Sequence, residues 1–351
     1  MKKKSFLKNN QHLNPPNHPT MSSSILTNRH DFLLLFEVTN GNPNGDPDAG
    51  NMPRLDPNTN RGLVTDVCLK RKVRNFLDLF PPARKSDTAN GYNILIKQGA
   101  VIETEQKKSI KATVESLPKD ASDSKKAETA KNWLCREFFD VRAFGGVLST
   151  GDDVLKGSAF GQVRGPVQFT FGQSFHAITP LEVTITRCAV TKEEDAKKER
   201  TMGNKHIVPY GLYAAKGYIS PAFAEKPGFT DADLALLFQA LLSMFEHDRS
   251  AARGEMIVRG LYDFEHVGTQ HTNNAEQNKR EARLGCAHAH ILIEGVKVAL
   301  SDEAKAAGKT FPESFADYAV NNTWTADNLP KGIKLHLRHV GSDAVIGPRQ
   351  G

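Results

Sequence analysis

The fold class predicted is α+β, a ferredoxin-like sheet carrying two helices on one face, and three observations predict it. An apolar run of strand length, Phe32-Leu33-Leu34-Leu35-Phe36-Glu37-Val38-Thr39, is followed by the helical period of TDVCLKRKVRNFLDLF. A second strand–helix–strand order recurs further on, with strand-like segments at 211–220 and 256–267 around an apolar helix at 230–245. A large insertion separates the two, and the order strand, helix, strand, insertion, strand, helix, strand is compatible with a ferredoxin-like sheet. Alternating strands and helices could also build a doubly wound sheet, but the chain has no Gly-rich dinucleotide turn and no phosphate-loop lysine motif.

Residues 1–28 read as a disordered tail, with Met21 a second candidate start. The first strand enters the Asn/Gly/Pro/Asp loop NGNPNGDPDAGNMPRLDPNTNRG. In the helix that follows, Leu69, Val73, Phe76, Leu77 and Phe80 form the buried stripe, and Lys70, Arg71 and Arg74 fall on the other side. Thr65 is placed to cap it, with Asp66 in the first turn. Tyr92 to Lys97 reads as a short strand, and residues 104–139 as helices broken at Leu117-Pro118.

Glycines run through residues 140–176, where Val167, Phe169 and Phe171 alternate with Gln168 and Thr170 as in a half-buried strand. Strands at Leu181 to Thr191 and Gly211 to Ser220 flank the charged segment KEEDAKKERTMGNKHIVPY, which is expected to project as an arm of a hairpin. Thr230 to Phe245 is the clearest apolar helix, with Thr230 or Asp231 as cap. Strands are expected at Met256 to Val267 and Ala289 to Leu300, with the polar run GTQHTNNAEQNKREARLG between them as a loop. Residues 301–351 carry no pattern strong enough to assign.

The 351 residues suffice for one large domain with insertions or for two domains. The charge of +6, from 46 Lys and Arg against 40 Asp and Glu, permits an anionic partner without requiring one. Cys68, Cys135, Cys188 and Cys286 stand far apart, which argues against a zinc knuckle or a disulfide framework and suits the cytoplasm. No apolar stretch approaches the roughly 20 residues needed to span a bilayer, so no membrane partner is expected.

The strand, the glycine-bearing loop and the cations at the helix start together make a shelf on which a polyanion could lie. Loop N–H groups can bond phosphate oxygens while the cations supply salt-dependent affinity. A solvated basic helix face is the plainer reading of the same residues. Asp46, Asp48, Asp56 and Asp66 cluster along this stretch, and carboxylates beside phosphate could hold magnesium for hydrolysis. Asp46, Asp48 and Asp56 each adjoin turn residues, where aspartates usually build Asx-turns. His288 and His290 would share one face of an extended strand, but no third ligand is spaced with them.

Four motifs in series, FEVTNGNPNGDPDAGNMPR, LKRKVRNFL, DVRAFGGVL with FGQVRGPVQFTFGQSF, and TMGNKHIVPYGLYAAKGYISP, resemble the repeating backbone subunit of type I-C CRISPR surveillance complexes (Cascade). The resemblance covers most of residues 31–267. It implies an RRM-like palm over 29–351 with finger insertions at about 84–180 and a thumb hairpin at about 192–208. It further implies a non-catalytic protein that polymerises along CRISPR RNA and presents the spacer to target DNA. Copies of itself, other Cascade subunits and a recruited nuclease-helicase are the implied partners, and no cofactor or metal is expected.

The family has a basic residue at the helix start in a small-polar stretch ending Leu-Lys-Arg. Leu69, Lys70 and Arg71 match, whereas Val67 and Cys68 depart from the small polar residues of relatives. The family's intercalating thumb residue falls on Met202, with Lys205 beside it. A filament that accepts any spacer should bind phosphate and sugar rather than bases, a task suited to Arg54, Lys70, Arg71, Arg74, Gln162 and Arg164. Gly145, Gly146, Gly161 and Gly165 would let backbone approach RNA or a neighbouring copy, or serve tight sheet packing. Two alternatives remain: a metal-dependent nuclease using Asp46 and Asp48, and a stand-alone RNA-binding module.

Overall fold

A computed structural model describes residues 24–84, 89–113, 117–148, 161–190, 192, 202–270 and 274–340. Its central strand, β1 (His30–Gly41), is buried continuously from His30 to Val38, because both sides of it are covered. Phe32, Leu34, Phe36 and Val38 join the cluster on one face, and Leu33 and Leu35 the cluster on the other. The following loop contains the short pair β2 (Gly45–Asp46) and β3 (Met52–Pro53), then β4 (Arg61–Val64). Helix α1 (Asp66–Leu79) starts at Thr65, whose hydroxyl accepts from the Cys68 N–H at 3.2 Å.

The insertion comprises α2 (Ile102–Thr113), α3 (Asp123–Glu137) and α4 (Phe139–Phe144), followed by β5 (Gly145–Val147), β6 (Gln162–Arg164), β7 (Val167–Phe169) and β8 (Gly172–Ala177). Leu95, Ala127, Ala130, Leu134, Cys135 and Phe138 give it a small core of its own. Next come β9 (Leu181–Thr186), the long β10 (Met202–Ile219), α5 (Pro221–Ala224), α6 (Asp231–Ser243) and β11 (Glu255–His266). Thr230 and Asp233 close a capping box at the start of α6. The chain continues through α7 (Ala275–Leu284), α8 (Ala289–Glu294), β12 (Val296–Leu300), α9 (Asp302–Ala306), β13 (Tyr318–Asn322) and β14 (Ile333–Val340).

Eight strands form one antiparallel sheet in the order β14-β11-β1-β10-β8-β4, with β7 and β9 also paired to β10. Helices α1 and α6 pack on one face through Val73, Leu77, Leu237 and Leu241. The opposite face carries Leu33, Leu35, Tyr262 and Phe264 under Leu292 and Ile293 of α8 and Val296 of β12. Gly217 of β10 lets the sheet close over Phe32, since a Cβ there would lie 2.0 Å from the ring.

Several expectations are corrected. Residues 24–28 are not part of a tail: Leu26 is buried and donates its N–H to Phe229 O at 3.1 Å. Tyr92 to Lys97 is not a strand, because the buried Asp140 carboxylate accepts from the N–H groups of Leu95 (2.9 Å) and Ile96 (3.0 Å), donors a ladder would have used. The polar run after β11 holds α7, a helix of good helix formers capped by Asn274, in which Ala282 is the residue that is buried. The segment from Ala289 begins as α8 and becomes strand only after Gly295. Phe80 and Phe171 are exposed. The buried face of α1 includes Lys72, ion-paired to Asp248. The hairpin strands are shifted as well: β9 stops at Thr186, and β10 begins at Met202 rather than Gly211. The unassigned C-terminal stretch supplies β13 and the edge strand β14.

Candidate nucleic-acid interface

The end of β1, the loop after it and the start of α1 meet at Asn44. Its side-chain oxygen accepts from both the N–H and the hydroxyl of Thr65 at 2.9 Å, and its carbonyl accepts from the Arg54 N–H at 3.4 Å. The helix N-terminus and Arg54 are thereby held side by side. Arg54 pairs with Asp46 at 3.3 Å, while its buried Nε and the Asn42 Oδ1 have no hydrogen-bond partner among the described residues.

On α1, Arg71 is exposed and makes no ion pair among the described residues, so it is the cation most available to an anion. Lys70 is half-buried and bridges back to Asp66 at 3.0 Å. Exposed Val67 shares this face one turn earlier.

The remaining cations of the helix are committed inward. Lys72 lies among apolar groups against Asp248, and burial lowers its pKa. Arg74, expected on the outer face, instead donates to the fully buried Asp140 at 2.9 Å and lies over the Phe144 ring at 5.2 Å. The inserted helix α4 supplies both partners, and together they turn this cation into a structural strut.

Lys70 also sits over Phe144, 5.9 Å from the ring centroid, and Gly145 next to it pairs with Arg164. The face of α1 therefore abuts the β5–β6 hairpin, where Gln162 and Arg164 are both exposed. The Arg164 guanidinium stacks on Phe223 at 3.9 Å, which fixes its plane. Gly145 and Gly165 serve close packing in this hairpin: a Cβ would lie 2.2 Å from Val163 O or 2.4 Å from Ala143 O. Gly146 faces open space, and Gly161 O accepts from the Leu148 N–H.

Met202 and Lys205 are not brought to this shelf. They lie on the β9–β10 hairpin, opposite Thr186 and Val183, and Met202 is 69% exposed. The last pair of β1 is Gly41 with Val208, so Met202 stands roughly 20 Å beyond it at about 3.3 Å per residue. Leu181, Val183 and Ile185 form an exposed apolar row along one face of the hairpin. Residues 193–201 of the charged arm lie outside the described residues.

The loop aspartates do not converge. Asp46 accepts from the Asp48 N–H and pairs with Arg54. Asp56 accepts from the N–H groups of Asn58 (2.8 Å) and Thr59 (3.2 Å), which hold its carboxyl below the usual carboxylate range. His288 and His290 flank the start of a helix rather than a strand, with rings 5.7 Å apart. Among the described residues no three His, Cys, Asp or Glu side chains are grouped to hold a metal ion. The sequence reading passes over Arg61, an exposed cation that ends the same loop and was legible there.

The family model described as CRISPR-associated protein Cas7 matches residues 28–323. A CRISPR-associated protein Cas7 of Haloferax volcanii is 28% identical over 222 residues, 60% of this chain and 62% of that protein, so the chain spans less than two thirds of this relative's length. A chain of a CRISPR RNA-guided surveillance complex, pre-nicking, is similar in structure with a TM-score of 0.42 and 16% identity, covering 67% of this chain and 78% of that one. A second CRISPR RNA-guided surveillance complex gives a TM-score of 0.37 at 13% identity over 67% of this chain and 68% of the other.

Proposed function

The chain belongs to the CRISPR-associated protein Cas7 family, and from that membership we propose that it is a non-catalytic, crRNA-binding backbone subunit of a type I-C surveillance complex. The observation that carries this reading is the combination of an exposed Arg71 in the second turn of α1, without an ion pair among the described residues, and a hairpin that leaves the sheet carrying exposed Met202. A shelf and an outward arm on one chain suit a protein whose copies clasp one strand in series.

Strands β11, β1, β10 and β8 lie side by side with α1 and α6 on one face, in keeping with an RRM-like palm. The insertion with its own core serves as fingers at about 84–180, and the β9–β10 hairpin with the charged run at about 192–208 serves as thumb. A stand-alone RRM stacks bases on the open face of its sheet. Here that face lies under α8 and β12, which favours the backbone reading over the stand-alone module. The turn roles of the Asp46 and Asp56 carboxylates likewise disfavour the nuclease.

In this reading Arg71, Lys70 and Arg54 hold phosphates, and Gln162 and Arg164 reach the sugar-phosphate chain from the β5–β6 hairpin. Met202 of one copy wedges beside a base held by the next, with Lys205 on the backbone. Arg74 takes no part. Spacer bases stay open for target DNA, and other Cascade subunits and a recruited nuclease-helicase complete a cytoplasmic assembly. Because phosphates are alike in all sequences, unrelated RNAs of equal length should bind with equal affinity at fixed salt. Fluorescence anisotropy checks this, and tight binding of one sequence with weak binding of the others would refute backbone recognition.

A further inference from the structure

We infer that the aromatic cleft at the foot of the β9–β10 hairpin receives a nucleobase of the bound RNA, an inference that rests on the RNA-binding reading above. The cleft, of about 470 Å³, is built from the ends of β1 and β8, the middle of β10, the segment before β13 and the start of that strand. It opens beside Thr39 and Asn40 at the end of β1 and Pro209 near the foot of the hairpin.

The walls are rings held in place by polar contacts. His176 Nδ1 and the Tyr318 hydroxyl are 2.9 Å apart, with ring centroids at 5.3 Å. The Tyr210 hydroxyl donates to Glu37 at 2.9 Å, and its ring centroid lies 6.5 Å from that of Tyr318. Glu37 is in turn held by Arg259 at 2.5 Å. Phe311, 58% exposed, lines the same cleft.

Fixed rings beside an exposed phenylalanine form a stacking platform, and such platforms accept any base because every base has a π-face. This volume admits a base with its ribose. Arg61 adds the phosphate partner: it is exposed and pairs across the sheet with Ala177, another residue of the lining. Burial of the His176 ring, and then the Arg61 charge, lower its pKa and disfavour the imidazolium. Lys309 is shared at the rim by Glu313 and Asp317, each at 3.0 Å.

The test is photocross-linking of the full chain to a 5-iodouridine-substituted RNA, with peptides identified by mass spectrometry. Cross-links on Phe311, Tyr210 or Tyr318 are expected. Phe311→Ala should lose about fivefold or more in affinity for intact RNA, the lower end of base–aromatic stacking, and nothing for an RNA made abasic throughout. Circular dichroism of this exposed-site variant establishes that it is folded. Cross-links confined to the α1 or hairpin peptides would leave RNA binding standing and overturn the cleft. Protection of Phe311 only on adding another protein subunit would make it a protein contact and overturn the inference as well. Absence of any RNA binding would overturn both readings, and cross-links obtained only with a parallel 5-iododeoxyuridine DNA of the same sequence would assign the cleft to DNA and overturn the inference.

Discussion

Arg142→Met is expected to destabilise the chain by about 3–5 kcal/mol, the range for breaking a buried ion pair from one side. Arg142 is fully buried and joins Asp233 through Nε (3.0 Å) and Nη2 (2.7 Å). It also donates to the carbonyls of Cys135 (2.8 Å), Arg136 (3.1 Å) and Gly91 (3.0 Å). Asp233 closes the capping box of α6, so the pair ties the insertion to a helix of the main core. Methionine fills the volume but leaves a buried carboxylate and three carbonyls without this donor. A domain of this kind has roughly 5–15 kcal/mol in total, so the variant should unfold at much lower denaturant or fail to accumulate. A denaturation midpoint implying a loss under about 1 kcal/mol would contradict the assignment of this pair as the tie.

Lys70→Ala combined with Arg71→Ala should leave stability almost unchanged and weaken every RNA alike. Each phosphate contact on a single strand contributes about 0.7 to the slope of log affinity against log salt, so the pair should flatten that slope by about 1.4. At 0.15 M salt this amounts to roughly a tenfold loss. Arg74→Ala is the contrasting variant. It removes one of the partners of buried Asp140 and should lower stability while leaving the salt slope of the folded fraction unchanged. A double variant with an unaltered slope would remove α1 from the interface. A slope flattened by Arg74→Ala would mean that this side chain reaches RNA despite its pairing.

What the sequence makes legible follows from the range of the forces involved. Strand β1, its loop and α1 are readable because an apolar run, turn residues, a helical period and the Thr65 cap are all local. Helix α6 is readable for the same reason, down to Thr230. Helix α7 is not, because Ala282 is the residue it buries, and a polar helix leaves no apolar period. The segment 92–97 is misread because its N–H groups are satisfied by Asp140, distant along the chain.

The candidate site divides in the same way. Cations at the helix start are visible as residue types, but which of them remain available depends on Asp140 and Asp248, which only the tertiary structure brings near. Lys72 falls on the buried face and Arg74 against α4 for that reason. The aromatic cleft is invisible to sequence reading, since His176, Tyr210, Phe311 and Tyr318 come from separate strands and a connecting segment.

The central claim is that copies of this chain line up along one RNA through the β9–β10 hairpin. The most direct measurement is the mass of particles formed on RNAs of increasing length, taken by native mass spectrometry for the intact chain and for one lacking residues 195–205. The account predicts that the intact chain adds copies in regular steps as the RNA lengthens, while the shortened chain stays folded and forms no length-dependent particles. One copy per RNA at every length, or the same steps without the hairpin segment, would contradict it.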